Sequence, residues 1–76
     1  MTELFGTQSC PYTAEVRADL EWKGETFVEY DVEANAQARA RAIEMTGDTH
    51  LVPVLVRDGN VEQIGWQGRG CYLHQR

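Results

Sequence analysis

The residues of this 76-residue chain best placed for chemistry are its two cysteines, Cys10 and Cys71. Cys10 lies in Ser9-Cys10-Pro11-Tyr12-Thr13, after a short apolar run and before an amphipathic run. A cysteine placed where a strand feeds a helix meets the positive end of the helix dipole and the unpaired N–H groups of the first turn. Both favour thiolate over thiol. Pro11 suits the first helical position, because the N–H it lacks would have no helical partner there. Thr13 stands where a dithiol motif would carry its second cysteine, so the local reading is one activated thiol. The Thr13 hydroxyl has two readings. It donates a hydrogen bond to the thiolate and holds its pKa down, or it makes ordinary first-turn hydrogen bonds.

Other chemistries find little support. His50 and His74 stand far apart without ligand spacing and read as exposed polar residues, so no metal site is expected. Acidic residues outnumber Lys and Arg 12 to 7, which argues against a nucleic-acid partner, since phosphate binding needs clustered cations. No apolar run approaches the roughly 20 residues of a membrane span. The start Met1-Thr2-Glu3-Leu4-Phe5 lacks the basic flank and long apolar stretch of a signal peptide. The expectation is a soluble cytoplasmic monomer, residues 1–76 forming one domain, in a reducing compartment where cysteines serve as reactive thiols rather than staples.

The elements that must position Cys10 alternate. Thr2 to Gly6 reads as a strand and Pro11 to Lys23 as a helix, with Tyr12, Val16 and Leu20 as its apolar stripe, Trp22 over the end of the core and Gly24 as its stop. Thr26 to Val32 reads as the second strand. Asn35 to Met45 reads as an alanine-rich helix with Asn35 as N-cap, Gly47 as stop, and Ala36, Ala40 and Ile43 on its packing face. Leu51 to Arg57, interrupted by Pro53, is the third strand. A three-residue connection, Asp58-Gly59-Asn60, leads to a fourth strand over Val61 to Ile64. Gly65 to Gly70 reads as a tight loop, and Cys71 to Gln75 as at most a short last helix. The fold class is α/β, in the order β-α-β-α-β-β-α.

That order, Cys10-Pro11-Tyr12-Thr13 after the first strand, Val52-Pro53 opening the third, and Gly65-Trp66 after the fourth together resemble the glutaredoxin branch of the thioredoxin fold. A closer resemblance, in Cys-Pro-Tyr-Thr and in the ending Gly65-Trp66-Gln67-Gly68-Arg69-Gly70-Cys71, is to the UXX-star (seleno)protein family, some of whose members carry selenocysteine at the position of Cys10. The resemblance implies a four-stranded mixed sheet flanked by three helices. It implies a thiol–disulfide oxidoreductase with Cys10 as nucleophile and Thr13 and Cys71 beside it in the catalytic set. It implies a ligand surface from Pro11, Tyr12, Val52, Pro53, Gly65, Trp66 and Arg69. A proline in a would-be central strand cannot donate a ladder hydrogen bond. It becomes intelligible as a cis Val52-Pro53 bond facing the thiol, which in this fold leaves the backbone of Val52 free to pair with an extended thiol ligand.

Glutathione is the co-substrate the resemblance implies, with glutathione mixed disulfides or protein disulfides as partners. The chain departs from the family pattern at Thr7, where a lysine usually stands three residues before the nucleophile. The aspartate expected after the glycine pair is also missing from Gln67-Gly68-Arg69-Gly70, while Arg69, Arg39 or Arg41 offers positive charge instead. Cys71 is either the resolving thiol, brought in by a loop that Gly68 and Gly70 leave free to bend, or a small cysteine without chemistry. Two other functions remain open: a glutathione-dependent iron–sulfur cluster carrier, against which Pro11-Tyr12 speaks, and a non-catalytic thiol- or peptide-binding module at Pro53 and Trp66.

Overall fold

The computed structural model describes residues 1–73. The elements are β1 (Thr2–Gly6), α1 (Pro11–Trp22), β2 (Phe27–Asp31), α2 (Ala36–Met45), β3 (Leu51–Val52), β4 (Val54–Arg57), β5 (Asn60–Ile64) and β6 (Cys71–Tyr72). Four strands form one mixed sheet in the order β2-β1-β4-β5, and β3 and β6 form a separate two-stranded sheet. β1 is parallel to β2 and antiparallel to β4. As a central strand covered on both faces it is buried along its whole length, Thr2 and Glu3 included.

Successive β1 side chains point to opposite faces and so divide the core in two. Leu4 packs with Val16 and Leu20 of α1 and with Leu55, with Phe27 and Trp66 alongside. Phe5 packs with Ala38 and Ala42 of α2 and with Val32, Val52, Val54 and Val56, in the cluster that also takes in Cys10 and Leu73. The helix ends follow their residues. Asn35 caps α2, its side chain accepting from the Ala38 N–H at 3.0 Å, and Gly24 and Gly47 end the helices at φ 69° and 68°. Among the described residues no helix is long and apolar enough to cross a membrane.

Several expected details differ. The buried stripe of α1 is Thr13, Val16 and Leu20; Tyr12 turns to the α2 side of the core, and Trp22 is 89% exposed. The buried face of α2 is Ala38 and Ala42, with Met45 against the core, two positions later than the expected Ala36, Ala40 and Ile43. The β4–β5 connection is two residues, with Arg57 opposite Asn60. Asp58 and Gly59 both adopt positive φ, 52° and 80°, as a type I′ turn requires. Pro53 splits the expected third strand into β3 and β4. The last element is a strand, so two helices rather than three flank the sheet among the described residues; the rest of the expected helix and His74 lie outside them.

Candidate active site

Cys10 is the N-cap residue of α1, with extended backbone at φ −84° and ψ 116°, and Pro11 follows in the first turn. Its carbonyl accepts the first helical hydrogen bond, from the Ala14 N–H at 3.2 Å. The side chain makes no capping hydrogen bond, because its sulfur is joined to Cys71 in a disulfide with a Cα–Cα separation of 6.0 Å. Cys10 is only 2% exposed. The two cysteines that the sequence reads as reactive thiols are here a bridged pair.

Two backbone devices bring Cys71 in. The first is the turn Trp66-Gln67-Gly68-Arg69. Gln67 and Gly68 adopt φ of 52° and 79°, the Trp66 N–H donates to the Arg69 carbonyl at 2.6 Å, and the Arg69 N–H returns to the Trp66 carbonyl at 2.9 Å. These angles and bonds make a two-residue hairpin turn of the primed kind. The second is close contact with β3 and Pro53. The Gly65 N–H donates to the Pro53 carbonyl at 2.7 Å, and a Cβ on Gly70 would lie 2.6 Å from the Val52 carbonyl oxygen. The glycines of this loop therefore hold it closed rather than leave it free to bend. Beyond the turn the chain runs back as β6, antiparallel to β3, with Val52 opposite Cys71 and Leu51 opposite Tyr72.

The Val52–Pro53 bond is cis, as expected, but the Val52 backbone is not free. β6 of the same chain lies along it. Because β6 is two residues long, no periodicity in Cys71-Tyr72-Leu73 announces it.

Thr13 is fully buried, and its hydroxyl has no hydrogen-bond partner among the described residues. The reason for its burial is Gly6, a residue the sequence reading missed: a Cβ there would lie 2.5 Å from Thr13 Oγ1. β1 thus ends in glycine so that the first turn of α1 can settle on it. The only sequence signal is a glycine directly after Leu4-Phe5 at the end of the strand.

Beside the bridge lies an open groove of about 210 Å³, lined by Pro11, Tyr12, Glu15, Trp66, Gln67 and Arg69. The structure therefore gathers Pro11, Tyr12, Trp66 and Arg69 at one groove and Val52, Pro53, Gly65 and Cys71 at the adjoining strand pair. Glu15 and Gln67 join them unforeseen. Arg41 is engaged elsewhere. Its guanidinium donates to Glu3 at 3.2 and 3.3 Å and lies over the Phe5 and Tyr30 rings. Those hydrogen bonds, with one from Tyr30 at 3.1 Å, hold the Glu3 carboxyl below its ordinary value against the opposing effect of burial. Thr7, at the position of the usual lysine, is buried. His50 is largely covered rather than exposed, its Nε2 3.4 Å from Asp48.

A cysteine at the N-cap of the first helix, clustered with the residue before a cis-proline and beside a mixed four-stranded sheet, marks a thioredoxin-like α/β fold. Solved structures agree. The thioredoxin-like protein BC3987 superposes with a TM-score of 0.74 at 29% identity, covering 82% of this chain and 84% of that one. A glutaredoxin from Archaeoglobus fulgidus superposes at 0.77 and 17% identity, covering 87% and 75%. Within that fold, the glutaredoxin family model matches residues 2–62. A probable glutaredoxin of Synechocystis sp. is 33% identical over 73 residues, 90% of this chain and 67% of the relative. The chain belongs to the glutaredoxin family.

Proposed function

We propose that the protein is a thiol–disulfide oxidoreductase in which Cys10 attacks and Cys71 resolves. The observation that carries this reading is the bridge itself: the helix-capping cysteine is joined to a cysteine that a rigid hairpin delivers to it. In the reduced protein the Cys10 thiolate attacks one sulfur of a substrate disulfide, a mixed disulfide forms, and the other substrate sulfur leaves as thiolate. Cys71 thiolate then attacks the Cys10 sulfur. The second substrate thiolate leaves, and the Cys10–Cys71 disulfide remains, two electrons having passed to the substrate. Two external thiols restore the dithiol by the same exchange and leave as their own disulfide.

Glutathione is the external thiol proposed. The groove at Tyr12 and Trp66 offers Arg69 to a carboxylate and Glu15 to an amine, which fits a tripeptide bearing both. The Thr13 hydroxyl, buried one helical turn from Cys10 without a partner among the described residues, is assigned to the thiolate that reduction creates. A hydrogen bond to the charged form stabilises it and lowers its pKa.

The test is alkylation rate against pH for wild type, Cys10→Ser and Cys71→Ser, all reduced. Cys10 should titrate below the roughly 8.5 of a free cysteine, and Cys71→Ser should accumulate a mixed disulfide with oxidised glutathione at Cys10. A Cys10 of ordinary pKa, or thiol transfer surviving in Cys10→Ser, would overturn the assignment.

A further inference from the structure

The disulfide accounts for Cys71 lying over Cys10, but not for how closely its neighbours are seated. Gly70 is pressed against β3. A Cβ there would lie 2.6 Å from the Val52 carbonyl oxygen and 3.0 Å from Leu51 Cγ. Cys71 stands opposite Val52. Tyr72, opposite Leu51, is 79% exposed. Leu73 is 7% exposed, within the cluster of Phe5, Cys10, Val52 and Val54. Its N–H donates to the His50 carbonyl at 2.7 Å, so the pairing runs one residue beyond the strands. Four consecutive residues thus meet four different demands: small, cysteine, unconstrained, apolar. A strand edge reads an extended peptide in this way, with main-chain hydrogen bonds for affinity and alternate side-chain seats for specificity.

We infer that β6 is an internal copy of the substrate. The β3 edge beside Cys10 takes an extended cysteinyl segment of a protein disulfide, antiparallel to Leu51–Val52. The segment has a small residue before its cysteine, no constraint on the residue after it, and an apolar residue two positions after it. This rests on Cys10 being the thiol nucleophile and adds which disulfides it acts on.

Two features of the site bear on this. With β6 seated, Cys10 is 2% exposed, so a protein disulfide reaches it when β6 lifts from β3. The arriving segment then meets the same backbone groups that β6 has left, and one short ladder replaces another. β6 is thus a competitor that favours segments matching its own pattern. When it returns, Cys71 is delivered to the Cys10 sulfur and the segment is displaced. A tripeptide thiol is too short to reach the seat of Leu73, so glutathione and protein substrates are told apart at that seat.

The test uses the full chain carrying Cys71→Ser, reduced, and short capped peptides whose cysteine is in disulfide linkage with thionitrobenzoate. The Cys10 thiolate attacks the peptide sulfur, the Cys10–peptide disulfide forms, and thionitrobenzoate leaves and is read by absorbance; intact mass identifies the adduct. The same disulfide of 2-mercaptoethanol serves as a pattern-free control, and rates are divided by those with free cysteine. The peptide Ser-Gly-Cys-Tyr-Leu should react about tenfold faster than one with valine before the cysteine, and about tenfold faster than one with aspartate for leucine, from overpacking and lost apolar burial respectively. Serine for tyrosine should change the rate less than about twofold, as expected for an exposed seat. Equal or reversed rates across the peptides, with the control still reactive, would overturn this inference and leave the thiol-transfer reading standing. No reaction with any probe would overturn both.

Discussion

Breaking the Cys10–Cys71 bond should remove a large share of the stability of this chain. The cysteines are 61 residues apart in sequence, so the bridge closes most of the chain into one loop. The chain-entropy relation for a loop of that length gives about 14 cal/mol/K, or about 4 kcal/mol at 25 °C. Total stabilities of about 5–15 kcal/mol are usual for small domains, and each kcal/mol moves the midpoint of a domain this size by roughly 4–8 °C. The reduced protein should therefore melt roughly 15–30 °C below the oxidised one. The same free energy appears in the redox equilibrium. Whatever the bond contributes to the fold, the fold contributes to the bond, so disulfide formation should be about 10³-fold more favourable in the folded protein than in urea. Urea unfolding with and without dithiothreitol gives the first quantity, and glutathione titration in buffer and in urea gives the second. Cys71→Ser, measured both ways, removes any effect of the reductant itself. Coincident unfolding midpoints for the oxidised and reduced wild type would refute the reasoning.

Three further outcomes follow. Cys10→Ser should reduce thiol transfer to the uncatalysed background, whereas Cys71→Ser should keep the first exchange and stop at the mixed disulfide, as intact mass and turnover together would reveal. Gly6→Ala should destabilise the protein by about 1–3 kcal/mol by driving a methyl group into Thr13, and Thr13→Ala in the same chain should recover part of that loss; strict additivity in urea unfolding would contradict the contact. Because Arg41 and Tyr30 depress the folded Glu3 pKa below its ordinary 4.5, the unfolded chain takes up the proton first. The contribution of Glu3 is full above pH 4.5, and falls as pH drops from there through the folded value. Glu3→Gln should flatten the acid limb of stability against pH below 4.5, and an unchanged limb would place the acid sensitivity elsewhere.

Much of this fold is legible because its elements carry local signals. β1 centres on Leu4-Phe5 and ends at Gly6, α1 opens on Pro11, Asn35 caps α2, and Gly24 and Gly47 end the helices where the backbone turns left-handed. Cys10 is legible for the same reason, since a cysteine, a proline and a following amphipathic run define a helix start within a few residues. What escapes is whatever depends on a partner distant in the chain. Trp22 looks like a core residue and stands in solvent, because the α1 stripe is set by Thr13 settling on Gly6 rather than by the largest side chains.

The tail is the sharper case. Cys71-Tyr72-Leu73 is too short for either period to register, so a short helix and a strand fit it equally well. It becomes a strand only because Leu51–Val52 lies beside it and the Gln67-Gly68 turn sends the chain back along that edge. The same contact changes the meaning of Thr13. In the sequence it marks the loss of a second thiol from the first helical turn. In the fold that thiol has moved to the far end of the chain, on a segment that pairs with the strand where an extended ligand would otherwise lie. A second cysteine within the first turn would resolve a mixed disulfide without disturbing the substrate backbone. On the proposed mechanism a thiol carried on β6, which pairs with β3, must retake that edge to reach Cys10, and resolution and substrate release would then be the same movement.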